Sequence, residues 1–428
     1  MNPRVLMFGW EFPPHISGGL GTACYGLSKA LAQSGTEVLF VVPRLKGNET
    51  KGPFQLIDAS EIEMGGSYVG SVQQIPGVTE IAVDSALRPY ASPEAFYRES
   101  QGRNTAMISA ESVAGSLAAL SGGYGKNLFN EVARYAEVAA QIATEHEFHV
   151  IHAHDWLTFP AGVAASRITG KPLVLHVHAT EFDRSGENIN RAVYEIERQG
   201  LQSADAVVAV SGLTRDILVN RYGVNPNKVK VVHNGVLPMP PHHQREAPAL
   251  KMQVVTFLGR VTFQKGPDYF VEAAGKVLQE LPHVRFVMAG TGDMLLPMIR
   301  KAASMKLGSR VHFTGFLGGT DPYKLYGISD VYVMPSVSEP FGISALEALQ
   351  SGVPVIVSKQ SGAAEILNHA IKIDFWDVDR LSSAIAGVLR SRSLSSMLSA
   401  GGADEASKMG WEGPASKVNS LYHHFIQA

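Results

Sequence analysis

The chain has 428 residues, of which 45% are hydrophobic and 18% charged, with a formal net charge of −2. That length allows two domains, each with its own core, and the near-neutral balance excludes bulk attraction to nucleic acid or anionic membrane, so any phosphate must be held by local groups. A single cysteine, Cys24, excludes an internal disulfide framework and suits packing on a helix in a reducing compartment.

The first predicted strand, Val5–Phe8, runs straight into Gly9, Trp10 and Glu11, without the basic start and long apolar core of a signal peptide. No apolar run approaches the length of a membrane span, so a soluble cytoplasmic protein is expected. The segment Phe12-Pro-Pro-His-Ile-Ser-Gly-Gly-Leu-Gly-Thr then opens a helix predicted over Thr22–Ser34. Gly18 and Gly19 would let a ligand approach the helix start, a favourable place for phosphate. From spacing alone, a structural glycine turn is an equal alternative.

Further strands are predicted at Val38–Val42, Val150–His154, Leu173–Val177, Ala206–Val210 and Val229–Val232, with amphipathic helices between most of them. This alternation argues α/β with parallel sheets. Residues 60–125, rich in Gly and Ser with short strands such as Ile81–Val83, fit the rhythm least and read as an insertion near the site. His152, His154 and Asp155 end one strand, and His176 and His178 another. Each H-x-H pair points to one face of its strand, yet two such pairs fix no third or fourth ligand, so no metal is expected. Packed, hydrogen-bonded core histidines are the reading for His152 and His176.

Pro238-Met-Pro-Pro-His-His-Gln-Arg-Glu-Ala-Pro loses both periodicities and reads as a linker over 238–250. Alternation restarts with strands at Val254–Leu258, Arg285–Ala289, Val311–Phe313, Val331–Met334 and Val353–Val357, a second doubly wound sheet. After the first of these comes Gly259-Arg260-Val-Thr-Phe-Gln-Lys265-Gly, which puts two cations at a strand exit. Thr314-Gly-Phe-Leu follows the third. Residues 335–354, P-S-V-S-E-P-F-G-I-S-A-L-E-A-L-Q-S-G-V-P, set Glu339 in a loop and Glu347 one turn into a helix starting near Ile343 and stopping before Gly352. Backbone N–H groups at that helix start can meet an anion or hydroxyls. Residues 410–428 form a final amphipathic helix.

The glycine loop, H-A-H-D-W with H-V-H, G-R-x4-K-G, and P-S-x-x-E-P-F-G with E-x7-E occur in order. Together they resemble the signature of retaining glycosyltransferases of family 4, the glycogen/starch-synthase-like group. The resemblance implies an α/β GT-B fold of two facing Rossmann-like doubly wound parallel-sheet domains. Residues 1–237 would form the acceptor-side domain, with helix 410–428 packing back on it, and 251–409 the nucleotide-sugar domain.

By the same resemblance, Glu339 and the N–H groups of Phe341, Gly342 and Ile343 hold sugar hydroxyls, and Glu347 holds the ribose. Arg260, Lys265 and the Gly18–Gly19 loop meet the diphosphate, His178 touches the donor sugar, Asp155 lies at the cleft, and Phe316 and Leu317 lie beside the base. Asn234-Gly235 matches a turn before the linker. Ile16 stands where glycogen and starch synthases carry Lys. The implied activity is transfer of a hexosyl group, glucose from ADP- or UDP-glucose, to an α-1,4-glucan, by front-face attack that needs no metal and no cofactor. The alternatives are a related transferase with a small-sugar or lipid-linked acceptor, a nucleotide-sugar epimerase of the same fold, and a catalytically dead sugar-binding protein.

Overall fold

The computed structural model describes residues 2–14, 18–62, 128–240 and 252–427. All but residues 60–62 of the insertion expected at 60–125, Ile16, and most of the linker expected at 238–250 lie outside the described residues. Two all-parallel sheets organise the chain. The first contains β1 (Arg4–Phe8), β2 (Glu37–Val42), β3 (Gln55–Asp58), β4 (Val150–His154), β5 (Leu173–Val177), β6 (Ala206–Ala209) and β7 (Val229–Val231), in the order β3-β2-β1-β4-β5-β6-β7. The second contains β8 (Val254–Leu258), β9 (Arg285–Ala289), β10 (Val311–Gly315), β11 (Val331–Met334), β12 (Val355–Ser358) and β13 (Ala370–Ile373), in the order β10-β9-β8-β11-β12-β13.

In both sheets the winding direction reverses between the first strand and the one three places later, β1 beside β4 and β8 beside β11. Helices on both faces cover the central strands, which is why β1 (RVLMF), β8 (VVTFL) and β11 (VYVM) read as near-continuous apolar runs, whereas β4 (VIHAH) is interrupted by His152 and His154. Such reversals open a crevice beyond the carboxyl ends of the strands. Of the expected site residues, Asp155 follows β4, Arg260 and Lys265 follow β8, and Glu339 follows β11, with His178 after the neighbouring β5. Among the described residues, no helix is long and apolar enough to cross a membrane.

The last helix, Glu412–Gln427, packs on the first sheet. Trp411, Ala415, Val418 and Tyr422 are buried in the same cluster as Val5, Met7, Leu27 and Phe40, each large apolar group contributing about 1.5–3 kcal/mol by leaving water. A second cluster joins the two halves, since Val210 and Val236 pack with Phe341, Ala345 and Ala363.

Two strands had no counterpart in the sequence reading. β3 (QLID) and β13 (AIKI) are short and mostly half-exposed edge strands, so neither carries the continuous apolar run of a central parallel strand. The first helix spans Gly19–Gln33 rather than starting at Thr22, because Gly18 is the extended residue that precedes it and Gly19 is already helical.

Candidate active site

At the reversal in the second sheet, β8 delivers Arg260 and Lys265 and β11 delivers Glu339. Lys265 Nζ lies 2.5 Å from Glu339 Oε2, which also accepts a hydrogen bond from Ser336 Oγ at 3.1 Å. The Glu339 carboxylate is nearly buried, with 6% of its side chain exposed, while Lys265 keeps 23%. A buried carboxylate is tolerable only when paired in this way. Glu339 is fixed by its backbone as well, donating to Gln360 O and accepting from Gly362 N–H, each at 2.9 Å.

Three residues on, Gly342 has φ 103° and precedes helix Ile343–Gln350. A Cβ there would lie 2.7 Å from Met334 Cε and 3.3 Å from Glu339 Cγ, so only glycine fits both the conformation and the space. The first N–H groups of that helix have no carbonyl one turn earlier to bond, and they face the end where positive potential collects. Phe341 is buried and Ile343 half-buried. Glu347 sits one turn in and accepts from Tyr326 Oη at 3.2 Å; burial raises its carboxyl pKa, opposed by that hydrogen bond.

Arg260 is half-buried beside Asp293, whose carboxyl is pushed up by burial and drawn down by the guanidinium. Phe316 is 60% exposed at the exit of β10, with Leu317 half-buried beside it. Three strand spacings separate β10 from β11, about 14 Å, so only an extended ligand reaches both Glu339 and Phe316.

Across the cleft, β4 and β5 supply Asp155 and His178. Asp155 is buried with φ 59°, and its Oδ1 accepts the backbone N–H of His178 at 2.6 Å and of Ala179 at 3.3 Å. Burial pushes its carboxyl up to about 7, against the pull of Arg184 and those N–H groups. The carboxylate therefore fixes the His178 loop. Asp155→Asn keeps the volume but turns one acceptor into a donor facing N–H groups; it is expected to displace that loop, which amide hydrogen exchange at His178 and Ala179 would read as faster exchange, beside a lowered thermal midpoint in a melting curve.

His178 is half-buried, and burial lowers its pKa to about 3. Its Nε2 lies 2.9 Å from His154 Nδ1, so one neutral ring donates to the other. His152, His154 and His176 are buried, with pKa values lowered by desolvation and by their neighbours. His152 hydrogen bonds Tyr422 Oη of the last helix. His176 corrects the expectation for it: it is packed, but neither ring nitrogen has a hydrogen-bond partner among the described residues.

One nitrogen each of His152, His154 and His176 lies within 4.8 Å of the others. Their rings nevertheless stack, with planes 15° apart for His152 with either neighbour and centroids 4.5 Å and 5.3 Å away. A metal takes the in-plane lone pair of an imidazole. Near-parallel stacked planes share no such point, so these rings do not fit a metal as arranged.

The glycine loop leaves β1. Gly18 is extended at φ −171°, a conformation any residue adopts, and a Cβ on Gly18 or Gly19 would meet nothing within 4 Å among the described residues.

Two contacts that sequence reading missed bind the halves together. Ser338 Oγ donates to Asp183 Oδ1 at 2.5 Å, setting the His178 loop opposite Glu339. Glu365 accepts N–H bonds from Gly212 and Leu213 at 2.9 and 2.8 Å and lies 2.8 Å from His233 Nε2. The Asp183 end had a legible signal: Thr180 and Asp183 form a capping box, the T-x-x-D version of a known helix start. Glu365 had none.

Residues 110–238 match the family described as Glycosyltransferase Family 4, and residues 239–404 the family described as Glycosyl transferases group 1. An uncharacterised glycosyltransferase of Methanocaldococcus jannaschii is 28% identical over 404 residues, covering 89% of each chain. The glycogen synthase of Mycobacterium tuberculosis is 26% identical over 400 residues, 90% of this chain and 86% of its own. Among solved structures, HepE of Anabaena in complex with UDP-glucose aligns over 100% of both chains with a TM-score of 0.64 at 17% identity, a likeness of fold.

Proposed function

We propose that this chain, which belongs to the GT-B glycosyltransferases of the family-4 type, moves a glucosyl group from ADP- or UDP-glucose to an α-1,4-glucan and retains the anomeric configuration. The observation that carries the reading is the Lys265–Glu339 pair at a helix start, placed where the winding of the second sheet reverses. The near full-length likeness to a glycogen synthase supports the glucan, and the UDP-glucose bound by a neighbour of the same fold supports the donor.

In this reading the diphosphate lies against Arg260, Lys265 and the Gly18–Gly19 loop. Breaking the sugar–phosphate bond leaves negative charge on the departing nucleotide, so fixed cations favour the transition state over the ground state. Lys265 spans both partners: its ammonium neutralises Glu339 and lies within reach of a phosphate entering the crevice. Glu339 and the N–H groups of Phe341, Gly342 and Ile343 take sugar hydroxyls; Glu347, backed by Tyr326, takes the ribose; Phe316 and Leu317 flank the base. His178, neutral at any physiological pH, offers a hydrogen bond rather than a charge. The acceptor hydroxyl attacks from the face the nucleotide leaves, and the departing phosphate oxygen takes its proton.

Glu339→Gln is expected to impair sugar transfer more than binding of free nucleotide diphosphate, and Glu347→Ala the reverse; titration calorimetry with the diphosphate beside turnover assays separates the two. Equal weakening of diphosphate binding in both variants contradicts the division. The deciding experiment incubates chelator-treated protein with ADP-glucose, UDP-glucose and other nucleotide sugars, using maltooligosaccharides and glycogen as acceptors. Chain lengthening with α linkage supports the proposal. Transfer only to a small-sugar or lipid-linked acceptor replaces the glucan, and an inverted product overturns the mechanism.

A further inference from the structure

The chain has four tryptophans, and three are structural: Trp10, Trp156 and Trp411 are 2%, 0% and 4% exposed. Trp376 is 58% exposed. It follows β13 at the carboxyl edge of the second sheet, the edge from which that sheet presents Arg260, Lys265 and Glu339. Phe375 braces the indole edge-on, with centroids 4.8 Å apart and planes at 85°, and Tyr269 in turn braces Phe375 at 5.2 Å.

The loop that carries it is polar. Asp374 accepts from Lys359 Nζ at 2.7 Å and from Gln360 Nε2 at 3.1 Å, and Asp377 and Arg380 lie on the next turn. Gln360 also connects this loop to the transfer site, because its backbone carbonyl accepts the Glu339 N–H at 2.9 Å. A single braced ring among charged groups is too small an apolar patch for a protein interface, which needs a contiguous surface of roughly 1,000 Å² or more. It does match a sugar, whose C–H face lies on an aromatic ring while its hydroxyls find carboxylate, amide and ammonium partners at the rim.

We infer that Trp376, with Asp374, Lys359 and Gln360, forms a second saccharide subsite on the lip of the second domain, which holds an α-glucan chain away from its reacting end. The inference rests on the glucan reading of the transfer site. Because only Trp376 is exposed, iodide quenching of tryptophan fluorescence reports on that ring in the unmodified protein, and Trp376→Ala should remove the quenchable fraction. Maltoheptaose is expected to protect the parent from iodide, and Trp376→Ala to bind glycogen in an affinity gel roughly tenfold more weakly, the scale of losing one aromatic anchor. KM for glycogen should rise, while the rate with maltotriose stays within about twofold, since a short chain that fills only the reacting end does not use the anchor.

Unchanged iodide access at saturating maltoheptaose overturns the subsite, as does equal glycogen retention by parent and variant. Protection that follows protein concentration rather than saccharide also overturns it, and assigns the ring to contact with a second copy. Glucan protection without glucosyl transfer to any glucan leaves the subsite standing and removes the glucan-synthase reading instead.

Discussion

If Lys265 meets the leaving phosphate as proposed, Lys265→Ala is expected to lower sugar-transfer turnover by ~100-fold or more, because losing one strong electrostatic donor costs roughly 3–4 kcal/mol at the transition state. Arg260→Ala should have an effect of the same order, measured as kcat with saturating donor. The two differ in stability. Lys265 is 2.5 Å from a nearly buried carboxylate that, among the described residues, is left with Ser336 alone when the ammonium is gone, so Lys265→Ala should also destabilise the second domain by about 1–3 kcal/mol. The double variant Lys265→Ala/Glu339→Gln should recover the melting midpoint and not the turnover. Recovery of both would make the pair structural and remove Lys265 from the leaving-group site.

That coupling was invisible in the sequence, where G-R-x4-K-G and E-x7-E stand 74 positions apart from Lys265 to Glu339. What could be read was each residue's exit from a strand and the order of those strands. Central parallel strands are buried on both faces and so advertise themselves as near-continuous apolar runs, which is why β1, β8 and β11 were legible, while β4 was marked by its Val-Ile start and its H-x-H pair. β3 and β13 are edge strands with no such run. Trp376 escaped notice for the same reason, because it hangs from β13.

Side-chain direction was less legible than position. Asp155 was expected at the cleft; it leaves β4 with φ 59°, and its Oδ1 accepts the N–H groups of His178 and Ala179. Similarly, Ser338–Asp183 and Glu365 with Gly212 and Leu213 depend on how one half of the chain seats on the other. No local periodicity encodes that.

Gly290→Ala is expected to cost the second domain about 3–5 kcal/mol, combining strain at a conformation L residues avoid with overpacking against backbone. Gly290 follows β9 with φ +138°, and a Cβ there would lie 1.8 Å from the Gly259 carbonyl oxygen. Neither side can yield cheaply. Gly290 N–H bonds the Gly315 carbonyl at 2.8 Å, Gly259 N–H bonds Ala289 O at 3.0 Å, and Val261 N–H bonds Thr291 O at 2.9 Å, so the exits of β8, β9 and β10 are laced together around this one missing side chain. Moving Gly259 moves Arg260, its neighbour. The variant should therefore lower the melting midpoint of the second domain by about 10 °C and lose turnover even at temperatures where it remains folded. Scanning calorimetry with activity at low temperature separates the two effects. A midpoint within about 2 °C of the parent, on the same scale, would mean that β8 and β9 do not approach this closely, and the placement of Arg260 against the leaving group would lose its mechanical support.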